Sequence, residues 1–253
     1  MGAFAAACAS VERDFVIDTA DSPSLVREAQ CLRHQVYCVE NAYEPGVAGL
    51  EADAFDARAR HALLRRRVSG EAVGAVRLVL PDHGAPDSCF PFQAHCPLPP
   101  HLRAAPWSTA EVSRFIISKA RRARIQAPPM ILRLALVRAS IILGAQHAVT
   151  DVCALMEPCL LRLLRASGIH LHPAGRQVEH RGLRQPCFAA IAPMLGRMRL
   201  EHPEAWAFVT ACQPSPKPED VAPSIWARSE IFWRPDVLPS LPGLHFREPA
   251  GLN

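Results

Sequence analysis

The 253-residue sequence contains no CxxC pair, no internal repeat and no strong excess of either charge. Its nine cysteines are scattered and odd in number, which fits free thiols in a reducing cytosol better than a disulfide framework. A net charge of +4 is too small to indicate nucleic acid as a partner. The opening Met1–Cys8 is apolar but lacks basic residues, and Glu12 and Asp14 follow, so no secretory signal is expected. Ala6 occupies the position where a myristoylation signal needs a hydroxyl. The apolar run Ile131–Ala145 is short for a bilayer span and carries Arg133 and Arg138. Cys89 and Cys96 lie near His83, His95 and His101, but their spacing matches no standard zinc pattern, and no metal is expected.

What is present is enough apolar sequence (49%) for a sizeable core. Ser22-Pro23 followed by Leu25, Val26, Ala29, Leu32 and Val36 predicts a capped amphipathic helix, with Arg33 and Tyr37 on one face. Tyr43–Asp56 reads as a loop bearing carboxylates. His61–Arg67 and Ala72–Leu80 read as strands joined by a turn at Ser69–Glu71, with Arg65–Arg67 at a solvated strand edge. Pro81–Trp107 is a long proline-rich connection whose Phe90, Phe92 and Leu98 are expected to pack back on the core. Met130–Gly144 and Pro158–Ser167 read as helices, the second closed by Gly168, and Ala192–Cys212 as a helix interrupted by Pro203. Strands are expected at Ala148–Leu155, Ile169–Leu171, Gln177–His180 and Cys187–Ile191. Strands separated by helices predict an α/β fold, a mixed sheet with helices on both faces. Residues 1–212 form the domain, and 213–253 a proline-rich C-terminal appendage. Its Trp226 and Trp233 are read as docking on the domain, with a partner or peripheral membrane contact as the alternative.

One strand stands out. Glu111-Val112-Ser113-Arg114 places a carboxylate, a hydroxyl and a guanidinium within four residues before an apolar run. Buried charges cost several kcal/mol or more unless paired, so the cluster points to a site. Alternation puts Glu111 and Ser113 on one face and Arg114 on the other, unless a bulge intervenes. The ordered set Arg33/Tyr37, Glu51/Asp53/Asp56, Arg77, Glu111/Ser113/Arg114 resembles the acyl-homoserine-lactone synthases, and more closely the N-acyl amino acid synthases that include exosortase-associated acyltransferases.

The resemblance covers about residues 25–200. It implies a GNAT-like, splayed sheet with a bulge in the Glu111 strand. It also implies transfer of a fatty acyl group to an amine. Glu111, Ser113 and Arg114 are the candidate catalytic residues, with Glu111 as base, and burial is expected to raise its pKa. Arg33, Tyr37, Asp53, Asp56 and Arg77 are the candidate substrate-binding residues. Asp53 and Asp56 either close over an amine or brace the structure through an Arg/Asp network.

GNAT enzymes carry a glycine-rich pyrophosphate loop after this strand. Here Lys119, Arg121, Arg122 and Arg124 stand instead, without glycine. That basic surface suits acidic acyl carrier protein, delivering its chain as an acyl-phosphopantetheine thioester, with acyl-CoA the less favoured donor. No tightly bound cofactor is expected. Two departures from the lactone synthases stand out. Tyr43 occupies the position of their tryptophan, and the spacing to Asp53 is one residue shorter. Both tilt the acceptor from S-adenosylmethionine toward a small amino acid or related amine. The alternatives are a lactone synthase using S-adenosylmethionine and a non-catalytic acyl- or carrier-binding protein.

Overall fold

Helix α1 (Ala3–Asp14) runs directly into β1 (Phe15–Thr19). Helix α2 (Pro23–His34) begins as its sequence dictates: Pro23 sets the first turn, and the Ser22 hydroxyl accepts the Leu25 N–H at 3.3 Å. It continues as one π-helical stretch, Gln35–Glu40, carrying Tyr37. Strands β2 (Ala59–Arg66) and β3 (Ala72–Val79) form the expected hairpin, turned at Gly70 in the left-handed region (φ 67°). The chain then passes through short 3-10 turns and α3 (Pro100–Ala104) to β4 (Thr109–Ile117). After it come α4 (Lys119–Arg122), α5 (Pro129–Gln146), β5 (Asp151–Met156) and α6 (Pro158–Arg165). Two-residue β6 (His172–Pro173) and β7 (Val178–Glu179), β8 (Leu183–Ala190), α7 (Ile191–Glu201) and α8 (Pro203–Thr210) complete it. This computed structural model describes residues 2–43, 49–82 and 84–211, save the Pro86 side chain. The expectations for His83, Cys212 and the 213–253 appendage, with Trp226 and Trp233, lie outside the described residues.

The strands form one open sheet in the order β1-β2-β3-β4-β5-β8-β6, with β7 on β8. All pairs are antiparallel except β4 with β5. The period of two separates the faces. Leu63 and Ala75 pack with Leu32 and Val36 beneath α2. Gly74, one residue before Ala75, faces Leu136 of α5, where a Cβ would stand 3.4 Å from that side chain. Helices therefore cover both faces, as expected. At 18 residues and a mean hydropathy of 1.4, α5 is by length and composition able to cross a bilayer, longer than the run read from sequence. It is two-thirds buried in the protein, as the central helix of a folded core.

Two expectations are corrected. Arg65–Arg67 do not lie at a strand edge, because β1, unassigned from the sequence, pairs with β2 and covers it. Arg65 there binds Asp18 at 2.7 Å and Glu28 at 2.8 Å. Ile169–Leu171 is not a strand; β6 begins at His172. The Pro81–Trp107 connection behaves as anticipated: Phe90, Phe92 and Leu98 are buried against Val79 and Cys153.

Candidate active site

Two irregularities in β4 shape the site. The first is its parting from β5. The parallel pairing covers only Thr109–Glu111 with Asp151–Cys153, while β5 stays paired with β8 as far as Met156. The sheet opens just past Glu111. The second is a bulge against β3: Ala75 pairs with Ile116 but Arg77 with Ser113, so β4 spends one residue more. Arg114 takes up the excess with φ 51°, a left-handed conformation unusual for a non-glycine residue. The bulge turns its side chain toward Glu51 and Asp53, the second of which Arg77 also binds.

Glu111 is 2% exposed. Its Oε2 accepts the Phe92 N–H at 2.6 Å. The proline-rich connection thus supplies the main-chain donor that holds this carboxyl. Burial pushes the Glu111 pKa up to about 7; the Phe92 hydrogen bond, Arg77 and Arg114 restrain it. A carboxyl so placed can exchange a proton near neutral pH. Ser113 Oγ accepts from Arg77 Nε at 3.0 Å, so its hydroxyl is held by a side chain rather than by the local backbone.

Behind these residues three arginines and three carboxylates form a closed alternating ring. Glu51 joins Arg33 to Arg114, the latter at 2.6 Å. Asp53 joins Arg114 at 2.8 Å to Arg77 at 2.6 Å. Asp56 joins Arg77 at 2.8 Å to Arg33 at 2.7 Å. Arg33 and Arg77 are fully buried. Burial alone would raise the acids' pKa values, but the arginines outweigh it. Glu51 is lowered to about 2 and Asp56 is lowered as well. Asp53 and Asp56 also cap the 3-10 turn Ala54–Arg58: Asp53 accepts from Phe55 N and Asp56 from Asp53 N, each at 3.0 Å. They are built into the ion network behind the cavity rather than left free as a closing lid. Of the bracing and direct-contact readings, the geometry matches bracing.

A cavity of about 240 Å³ lies in the gap between β4 and β5. Glu111, Ser113, Arg114 and Tyr37 line it; Arg33, Asp53, Asp56 and Arg77 do not. Leu155 of β5 and Leu160 and Leu163 of α6 supply an apolar wall. Arg133, Arg181 and Arg184 also reach it, and sequence reasoning missed all three. Arg181-Gly182 has the composition of a turn, but nothing local tells which site a turn so far along the chain will reach.

The basic segment is partly engaged. Ser118 caps α4, and the Glu40 carboxylate accepts the Ser118 hydroxyl at 2.5 Å, Lys119 N at 2.7 Å and Ala120 N at 3.3 Å. Lys119 Nζ donates to Asn41, Arg121 to the Ala72 carbonyl and Arg124 to Glu71. Among the described residues no group of three or more His, Cys, Asp or Glu is placed to hold a metal ion.

This splayed sheet with a bulged, site-bearing strand is the fold of the GNAT acyltransferases. Residues 32–129 match the acetyltransferase (GNAT) domain family. Solved structures agree on the fold. TofI, in a ternary complex with an inhibitor and MTA, is 20% identical with a TM-score of 0.55, over 76% of this chain and 99% of that one. BjaI, a CoA-dependent acyl-homoserine lactone synthase with SAM and isopentyl-CoA, is 20% identical with a TM-score of 0.53, over 79% of this chain and 99% of its own. FeeM, an N-acyl amino acid synthase from uncultured soil microbes, is 12% identical with a TM-score of 0.51, over 72% and 93%. No curated protein matches the sequence.

Proposed function

We propose that this protein is an N-acyltransferase that moves a fatty acyl chain from acyl carrier protein to the α-amine of an amino acid. The observation that carries the reading is Glu111, buried with a pKa near 7 where β4 leaves β5. The thioester arm enters that gap, and the acyl chain lies along Leu155, Leu160 and Leu163. Glu111 takes the proton of the attacking amine, directly or through water. The new C–N bond forms as the C–S bond breaks, and the departing thiolate regains a proton. Main-chain N–H groups of β4 freed from β5 are the available donors for the developing oxyanion. Ser113 and Arg114 position the reacting groups from the bulge.

Two features favour a carrier protein over CoA. The N–H groups opening α4 are taken by Glu40 and are not free for a pyrophosphate. The surface beside them, with Lys119 and Arg122, is basic and suits an acidic carrier. A reducing, cytoplasmic setting accords with cysteines that are scattered along the chain and odd in number.

Incubation with long-chain acyl carrier protein and a panel of amino acids should give acyl amides, read by mass spectrometry. Product with S-adenosylmethionine alone would make the protein a lactone synthase instead. Binding of the acylated carrier without any turnover would make it a non-catalytic binding protein. Charge reversal at Lys119 and Arg122 together should raise KM for the acylated carrier about tenfold or more at low salt. KM for acyl-pantetheine should stay as it was.

A further inference from the structure

Arginines of two kinds line the cavity between β4 and β5. Arg114 and Arg181 bond Glu51, and Arg184 bonds Glu157. Arg133 of α5 lines the same cavity, half-buried, and makes no hydrogen bond or ion pair with any described residue. Leu132 and Leu134 on either side of it are fully buried. A guanidinium held against apolar surface gives up part of its hydration, and an anion that replaces those lost hydrogen bonds is favoured there.

The helix fixes where along the cavity this charge stands. Arg133 comes three residues before Leu136 and shares its side of α5. The Leu136 side chain meets Gly74, and Gly74 pairs with Ile117. Arg133 therefore stands at the Ile117 end of β4, with Glu111 toward the other end. Six residue steps of β4 separate Glu111 from Ile117. At about 3.3 Å per extended residue, shortened by the bulge, that is roughly 15–20 Å. A phosphopantetheine arm has about thirteen bonds between sulfur and phosphorus, and three chain bonds reach at most about 3.5 Å, so it spans roughly 15 Å. With its thioester beside Glu111, its phosphate arrives beside Arg133.

The groups that follow β4 are less available to that phosphate. Glu40 takes Lys119 N and Ala120 N. Lys119 Nζ is given to Asn41, Arg121 to the Ala72 carbonyl and Arg124 to Glu71.

We propose that Arg133 binds the phosphate ester at the head of the donor's pantetheine arm. The proposal rests on the N-acyltransferase reading and adds the residue that anchors its donor. Arms borne by a carrier protein and by CoA present the same ester there, and the forked guanidinium matches two of its oxygens. Anchoring the phosphate sets how far the thioester reaches toward Glu111. Arg133 thus governs binding of the donor and not the proton transfer.

The test compares the full chain with Arg133→Gln on four donors of one chain length: acyl-pantetheine, acyl-phosphopantetheine, acyl-CoA and acylated carrier protein. In the native protein, KM for acyl-phosphopantetheine should be at least tenfold below that for acyl-pantetheine, which lacks only the phosphate. Arg133→Gln should raise KM tenfold or more for every phosphate-bearing donor. It should leave KM for acyl-pantetheine and for the amino acid as they were. Arg133→Lys should recover part of the loss, and Arg133→Met, which keeps the apolar stem, should not. Should the variants fold poorly, unacylated phosphopantetheine added to the native protein decides instead: it should compete with the acyl donor at least tenfold better than pantetheine does. A native protein indifferent to the phosphate overturns the proposal, although amide synthesis then stands. So does an Arg133 variant that weakens all donors alike, which marks a packing role, or the intact carrier alone, which marks a surface contact. A native protein that turns over no donor removes the proposal together with the function it rests on.

Discussion

Glu111→Gln should lower turnover by a hundredfold or more while making the protein more stable above neutral pH. The loss follows from removing a fully buried cavity-lining carboxyl whose pKa burial raises to about 7. In the native protein Glu111 accepts a proton only when ionised. The rate should therefore fall as pH drops below about 7, and a glutamine should flatten that limb. Stability moves the other way. The folded pKa is raised, so between about 4.5 and 7 the native state binds more protons than the unfolded state, and stability declines as pH rises through this window. Above it, the buried anion costs on the order of 3 kcal/mol relative to the unfolded chain. Glutamine removes most of that cost, since its carbonyl can still accept the Phe92 N–H. Thermal melts at pH 5 and pH 8 check this: the variant should gain at pH 8 and not at pH 5. Equal melting temperatures at pH 8, with normal turnover, would mean that Glu111 is neither strained by burial nor the base.

Arg77→Ala should have the largest effect on folding. It opens the ring, takes a partner from Asp53 and from Asp56, and frees the Ser113 hydroxyl. Removing one member of a buried ion network costs about 3–5 kcal/mol, because the charges left behind remain dehydrated. For a domain of this size that lowers Tm by roughly 10 °C. The sign with pH is determined. Asp56, which Arg77 holds, has a depressed folded pKa, so its contribution is complete above the ordinary carboxylate range and is lost only in strong acid. Melting curves of native and Arg77→Ala protein should differ widely at pH 7 and converge in acid. A constant difference across that range would show that Arg77 acts through packing rather than through charge.

The bulge in β4 makes these two results different in kind. Without it Arg114 would point away from Glu111 and Ser113, and the ring would lack the corner that joins Glu51 to Asp53. The unusual backbone at Arg114 is stabilised by its bonds to those two carboxylates. The same ring therefore holds the left-handed residue and leaves Glu111, which no guanidinium among the described residues bonds, to titrate near neutrality.

Much of this was legible in the chain because its signals are local. Ser22-Pro23 announces a helix start, Ser69–Glu71 a hairpin, and Glu111 to Arg114 a charged cluster in an apolar strand. A carboxylate between apolar neighbours announces a raised pKa, which its burial bears out. Pairings at long range were not legible. Asp53 and Asp56 read equally as a lid or a brace, and only their distances to Arg77 and Arg114 decide for the brace. Arg65–Arg67 read as an edge until β1 covered it. The place of Arg181 at the cavity depended on how the β7–β8 turn packs, and that of Glu40 on where the π-helical stretch ends. Side-chain chemistry and backbone preference act over a few residues and are written in order along the chain. Which charge meets which, and which turn arrives at a cavity, depends on how the whole sheet closes.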